Sequence, residues 1–266
     1  MNDFLQRLYA AKAATLAAEE ARESYAVVCC RAAARRGERR GFARALREAR
    51  GPAVIAEIKR ASPSVGLIAR NFDPAVVAAN YERAGADAIS VLTESDHFLG
   101  DLSYLDIARV HSTKPILRKD FLSTRYHVAQ AAAYGADAIL LIVAGLRDET
   151  MRELADEAAR FELDTLVEVH DETELARALA LQPSVVGINN RDLRTFATDL
   201  GVTTYLLPSV PAGTLVISES GVHEPADIAS LHAQGARGFL IGEALMRADD
   251  PAAFIEQLKR APVAGA

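Results

Sequence analysis

A glutamate and a lysine stand two residues apart at the end of an apolar run in AVIAEIKRASPS (53–64). Side chains alternate across a strand, so Ile55, Glu57 and Lys59 project to one side. The pattern recurs along the chain. Leu117 is followed two residues later by Lys119, Leu166 by Glu168 and Ile217 by Glu219, while Asn189 and Arg191 close another apolar run. Acids and bases that converge late in strands are the equipment of proton transfer, with pKa values tuned by burial and by each other. The same residues would also make a purely structural ion-pair network, and spacing alone leaves both readings open.

For these groups to meet, the runs that carry them must lie side by side. From residue 53 onward, eight short β-branched or Leu-rich runs alternate with helically spaced segments, at 53–58, 87–92, 115–119, 137–143, 164–169, 185–189, 214–219 and 237–242. This is the sequence form of repeated βα units and a parallel sheet. The segments ERAGADAISVL, AAYGADAILLI and HAQGARGFLIG each end a helix at Gly and enter a strand within two residues. Glycine adopts the left-handed conformation that stops a helix at little cost. Asp73, Asp148 and Asp171 are expected as helix N-caps. Eight units favour an α/β fold closed into a (β/α)8 TIM barrel, with an open doubly wound sheet as the alternative. In a barrel the late-strand residues gather at the C-terminal rim, where catalytic groups sit.

The chain of 266 residues fits one such barrel domain, 1–266, with residues 1–50 as an N-terminal helical extension packed on it. Phe4, Leu5, Leu8 and Leu16 suggest one apolar face there. The arginine-rich CCRAAARRGERRGFARALREAR reads as a solvated helical face, with an anion-binding or partner surface as the alternative. A formal charge of -6 argues against nucleic acid or an anionic membrane as partner. No signal-peptide pattern and no long apolar run is present, so cytoplasmic placement is expected. Cys29 and Cys30 are adjacent, cannot form an ordinary bridge and lack metal-site spacing. The six histidines show no metal-binding spacing either, and His170, although near a strand end, reads as a loop residue. There is no GxGxxG after a strand and no P-loop. Neither a metal nor an organic cofactor is expected.

An anionic substrate would have to be captured locally, against the global charge. Barrels hold phosphate between the loops after the last two strands, on backbone N–H groups. Those strands end in SESGV and IGEALM, which place Gly221 and Gly242 where close backbone approach is needed. The longer segment LTESDHFLGDLSYL reads as a lid or specificity loop.

The motifs IAEIKRASPS, LRKDF, LVEVH, GINNRDL and SESG, in this order and on these runs, closely resemble indole-3-glycerol-phosphate synthase of tryptophan biosynthesis. The resemblance runs along essentially the whole chain, extension included. Phosphoribosylanthranilate isomerase, another phosphate-binding barrel, lacks the EIKR…SPS start and the extension, and is the runner-up; a barrel that binds without turnover is a third reading. The resemblance implies ring closure of 1-(2-carboxyphenylamino)-1-deoxyribulose 5-phosphate with loss of CO₂ and water, without metal or cofactor. It implies a small anionic substrate carrying a carboxylate and a sugar phosphate, and leaves room for transient association with other tryptophan-pathway enzymes. By the same resemblance Lys119 is the general acid at the keto oxygen. Glu168 and Lys59 serve the dehydration, with the donor left open. Glu57 pairs with a lysine, and Asn189 and Glu219 have orienting roles. Ser62 and Arg191 suit anionic groups of the substrate, while Ser220, Gly221 and Gly242 belong with its phosphate, close to Lys59. Two departures stand out. Val65 occupies a position where many members carry a basic residue, and Glu243 one where a small hydroxyl residue is sometimes found.

Overall fold

Gly85, Gly135 and Gly235 end their helices with φ of +76°, +84° and +118°, the left-handed stop that the repeated segments predict. The repeat does a second job. Two residues past the first two of these glycines, Asp87 Oδ2 accepts the Val54 N–H and Asp137 Oδ2 accepts the Ile116 N–H, each at 2.8 Å. Each aspartate thus satisfies a main-chain donor at the start of the preceding strand, where burial would make an unpaired N–H costly. Arg237 stands at the equivalent place in the third copy.

A computed structural model describes residues 3–69 and 71–260. Eight strands form a closed barrel: β1 Ala53–Ile58, β2 Ala88–Leu92, β3 Ile116–Lys119, β4 Ala138–Ile142, β5 Asp164–Val169, β6 Val185–Asn189, β7 Leu215–Glu219 and β8 Gly238–Ile241. Every pairing is parallel, and β1 joins both β2 and β8 to close the ring. A small antiparallel hairpin, Ala61–Ser62 with Gly66–Leu67, rises from the end of β1. The connecting helices include α4 Pro74–Arg83, α5 Ser103–His111, α6 Arg125–Ala133, α7 Asp148–Arg160, α8 Glu172–Leu179, α9 Gly201–Leu206, α10 Pro225–Ala233 and the short α11 Glu243–Arg247. Asp73 and Asp171 cap α4 and α8 as expected, accepting N–H groups at 2.9 and 2.8 Å. Asp148 instead begins α7 itself and accepts from Arg177. No helix among the described residues is long and apolar enough to cross a membrane.

Strand parity divides the buried residues into two clusters. Val54, Ala56, Ile58, Ile139, Leu141, Val167, Val169, Val186 and Ile188 pack outward against the helices. Ala53, Ile55, Leu117, Leu140, Ile142, Leu166, Ile217 and Leu240 fill the interior. Burying each large aliphatic side chain stabilises the fold by about 1.5 to 3 kcal/mol.

The extension reaches both ends of this interior. It comprises α1 Asp3–Arg22, α2 Tyr25–Ala34 and α3 Phe42–Glu48. Phe42, Ala43 and Leu46 of α3 join the interior cluster, and the Ala43 N–H donates to Asp164 Oδ2 at the start of β5, so α3 plugs the N-terminal end of the barrel. Leu5 of α1 joins the same cluster from the opposite end.

The arginine-rich stretch behaves differently from both sequence readings. Arg39 donates to the carbonyls of Ala132, Ala136 and Phe161, and Arg40 to those of Arg109, Ser112 and Lys114. Arg35 adds Ala133 O and Asp106. Helix C-termini carry unpaired carbonyls and partial negative charge, and these guanidinium groups satisfy them at the ends of α5, α6 and α7.

Candidate active site

The odd-numbered strands make the chemical layer. Ile55, Leu117, Leu166 and Ile217 are buried inside the barrel, and two residues further along the same strands come Glu57, Lys119, Glu168 and Glu219. Alternate strands of a barrel contribute the four members of one interior layer. Here an apolar layer is followed toward the C-terminal rim by a charged one.

Lys119 Nζ lies 3.0 Å from Glu219 Oε2 and 3.3 Å from Glu168 Oε2. Lys59 Nζ lies 2.8 Å from Glu57 Oε1. All three glutamates are almost fully buried. Burial alone would discharge Lys119, but Glu219, Glu168 and Glu57 outweigh it and hold the ammonium form well above its ordinary range. The two carboxylates that share this lysine are pushed apart. At Glu168 burial is overcome by Lys119, His170 and a hydrogen bond from Asn189, so its pKa falls. At Glu219 burial, reinforced by repulsion from Glu168 and Glu57, prevails over Lys119 and raises the pKa to about 7. Such a divided pair supplies one carboxylate ready to accept a proton and another poised near neutrality.

Two glycines make room for these acids. A side chain on Gly187 would overlap Glu219 Oε1, and one on Gly242 would overlap Glu57 Oε1 and approach Lys59 Nζ to 3.0 Å. Gly242 therefore has a packing reason of its own.

Beside the charged layer lies the other half of the cavity. Ser220 and Gly221 follow β7 with φ of +63° and +82°, and a side chain on Gly221 would press on Thr198 Cγ2. Ser62 and Ser64 face each other at 3.3 Å across the first loop. Arg191 donates to Ser64 Oγ and to the Phe196 carbonyl at 3.3 Å, and its guanidinium is 3.9 Å from Glu243 Oε2. Arg191 thus pairs with Glu243, outside the ring of rim glutamates that alternation suggests for it. Asn189 Oδ1 accepts the Arg191 N–H.

One cavity is lined by every residue singled out from the sequence: Glu57, Lys59, Ser62, Lys119, Glu168, Asn189, Arg191, Glu219, Ser220, Gly221 and Gly242. Its apolar walls were not read from the sequence as site. Phe4, Leu5 and Leu8 of α1 enter it beside Phe98, Phe121, Leu193 and Phe196. Phe4 meets the Phe196 ring edge-on at 5.4 Å, and Phe98 and Phe121 lie 6.1 Å apart. Phe121 shares inward parity with Lys119, a signal available in LRKDF. The contribution of α1 had no local signal beyond its apolar face. The segment read as a lid is organised by Glu94, which accepts the N–H groups of Asp96, His97 and Phe98 and so aims Phe98 inward. His170 follows β5 and touches the charged layer: its Nε2 is 3.4 Å from Glu168 Oε1.

Residues 5–258 match the sequence profile of indole-3-glycerol phosphate synthase. The indole-3-glycerol phosphate synthase of Bordetella pertussis is 46% identical over 261 residues, covering 97% of this chain and 99% of that protein. The chain belongs to the indole-3-glycerol phosphate synthase family. The five motifs that carry the likeness fall on β1, β3, β5, β6 and β7, strands that line the cavity of this family member together with residues of β2, β4 and β8. Among solved structures, KGPDC from Streptococcus mutans superposes with a TM-score of 0.60 at 16% identity, covering 79% of this chain and 96% of that one. A thiamine phosphate pyrophosphorylase from Pyrococcus furiosus gives 0.58 at 16% identity, over 79% and 94%. At that identity these two share with the synthase family member its barrel fold alone.

Proposed function

We propose that this cavity closes the indole ring of 1-(2-carboxyphenylamino)-1-deoxyribulose 5-phosphate, releasing CO₂ and water to give indole-3-glycerol phosphate. Membership of the family makes the chain a carboxy-lyase of tryptophan biosynthesis acting on a phosphate-bearing small molecule. The observation that carries the residue roles is the position of Lys119 Nζ, held charged between Glu168 and Glu219 deep in the cavity.

The aromatic carbon bearing the carboxylate attacks the keto carbon, and Lys119 protonates the developing alkoxide. A buried ammonium both donates the proton and stabilises the charge. Departure of CO₂ returns an electron pair to the ring system. Loss of the hydroxyl as water then needs an acid and a base, supplied by Lys59 and Glu168. Glu57 keeps Lys59 in place, Glu219 does the same for Lys119, and Asn189 orients Glu168. Phe98 and Phe121 offer apolar faces to the aromatic ring of the substrate. Ser62 and Arg191 suit its anionic groups. The phosphate is assigned to the backbone around Ser220 and Gly221 and to the first turn of α11 after Gly242, where helix-start N–H groups lack internal partners.

The test is an indole-fluorescence assay with purified protein. Growth of the indole signal from the carboxyphenylamino ribulose phosphate is expected. Conversion of phosphoribosylanthranilate instead, with no indole at saturating carboxyphenylamino substrate, would favour the isomerase reading.

A further inference from the structure

Glu168 is 2% exposed, yet it adjoins a side chain that reaches toward solvent. Its Oε1 lies 3.4 Å from His170 Nε2, and His170 Nδ1 lies 2.9 Å from Glu174 Oε2 on α8. The same Glu174 oxygen accepts the His170 backbone N–H at 2.9 Å, so one carboxylate fixes both ring and main chain. His170 and Glu174 side chains are each 15% exposed. The ring nitrogen facing Glu168 is buried and makes no hydrogen bond among the described residues. An imidazole held in this way connects the edge of the site to one of its enclosed carboxylates.

The ring closure has a proton requirement that the charged layer does not meet by itself. On the reading proposed above, a substrate carboxylate leaves as neutral CO₂ and a hydroxyl leaves as water, so each turnover consumes one proton net. Lys119 gives one to the keto oxygen and the dehydrating acid gives a second. The base recovers only one from the ring. With substrate filling a cavity whose wall includes Phe4, Leu5 and Leu8 of α1, a route through the protein would supply the missing proton.

We propose that His170, held by Glu174, is the proton reserve of the site and refills the Lys119 cluster through Glu168 in every turnover. The imidazolium gives its Nε2 proton to Glu168 Oε1, and the carboxylic acid so formed turns about its Cγ–Cδ bond to hand that proton to Lys119 Nζ, which lies 3.3 Å from Oε2. The imidazole is left neutral with its remaining proton on Nδ1 toward Glu174. Nε2 is shielded from solvent in this arrangement, so the ring, whose side chain is 15% exposed, takes its second proton back by turning toward solvent between turnovers. Only N–H and O–H bonds change, and one proton enters for each CO₂ released. Glu168 is faced by Lys119 from β3, Asn189 from β6, Glu219 from β7 and the Tyr9 hydroxyl from α1; His170 is faced by Glu174, Glu168 and Glu219. Burial works to discharge the ring, and the hydrogen bond to Glu174 with the surrounding carboxylates outweighs it, raising the pKa above its ordinary value. His170 is a positioning residue in this scheme, because it acts on the substrate only through Glu168.

The experiment is steady-state kinetics of the wild type, His170→Ala and Glu174→Gln from about pH 6 to 9, with and without added imidazole. His170→Ala is expected to lower kcat roughly tenfold or more at the alkaline end, with KM within about twofold. The deficit should shrink toward low pH and in imidazole. Glu174→Gln retains the ring but weakens its hold on the proton, so the alkaline limb of kcat should move to lower pH, and this variant decides the matter if His170→Ala does not fold. A loss that is equal at every pH and unrelieved by imidazole, or an unchanged limb in Glu174→Gln, overturns the proton reserve alone. A wild type that forms no indole overturns the parent reading as well.

Discussion

Gly187 on β6 gives up its side-chain space to Glu219 on β7: a methyl group at position 187 would overlap Glu219 Oε1. Glycine weakens a strand interior and commonly marks a close approach. Here the approach is by a carboxylate whose Oε1 is buried without a hydrogen bond among the described residues. Since the obstructing atom ends a flexible side chain, Gly187→Ala should fold normally and swing Glu219 away from Lys119. Loss of that contact is expected to lower kcat roughly tenfold, the equivalent of about 1 to 2 kcal/mol. Kinetics alongside circular dichroism check it, and an unaltered kcat in the folded variant would mean that the placement of Glu219 is immaterial.

Lys119→Ala removes the proposed proton donor from the keto oxygen. Turnover should fall by about 10² to 10⁴ while a reduced, unreactive substrate analogue still binds in calorimetry. Retention of wild-type turnover would reject the assignment.

Asp120 ties α1 to the rim beside Lys119. Its Oδ2 accepts from Lys12 of α1 at 2.7 Å, from Arg118 at 2.7 Å and from Thr93 at 2.6 Å. Asp120→Ala strands the buried Arg118 without its counter-ion and should cost about 3 to 5 kcal/mol in urea unfolding. Lys12→Met leaves Arg118 and Thr93 in place and should cost about 1 to 3 kcal/mol, while raising KM as α1 loosens over the cavity. Burial opposes ionisation of Asp120, but Arg118 and Lys12 prevail and hold it well below the usual carboxylate range. Its contribution is therefore present above the ordinary carboxylate pKa and disappears as pH falls through the folded value. Asp120→Asn should make acid unfolding less steep, and an identical acid limb would contradict this.

Glu219 works in the opposite sense. Its folded pKa is raised to about 7, so between the ordinary glutamate value and neutrality the folded chain holds a proton that the unfolded chain has released. Stability from this group is greatest below the unfolded pKa and is lost as pH rises through about 7. Glu219→Gln should flatten the stability curve across that window. Unfolding midpoints measured from pH 5 to 8 test it; a wild-type slope in the variant would place the titration elsewhere.

Much of the site was legible because its signal is local. Alternation along a strand is a property of a few residues, so Ile55 to Glu57, Leu117 to Lys119, Leu166 to Glu168 and Ile217 to Glu219 declare their shared face without reference to the rest of the chain. The eight apolar runs that give the βα count are equally local, as are the glycine stops of the three repeated segments that support it. The arginines of the extension were misread for the complementary reason. Their partners are main-chain carbonyls of helices some 70 to 125 residues away, and carbonyl groups carry no residue-type signal.

The sequence by itself determined which side chains enter the barrel and near which end of each strand they stand, because backbone geometry sets the side-chain period. Only the tertiary structure decided that Lys119 is shared by Glu168 and Glu219 while Lys59 belongs to Glu57, that the two acids around Lys119 shift in opposite directions, and that α1 completes the cavity. The sharing of Lys119 depends on distances of a few ångströms between non-adjacent strands, and the pKa shifts and the closing of the cavity by α1 depend on burial. Both are products of ring closure, and neither is encoded in any one stretch of chain.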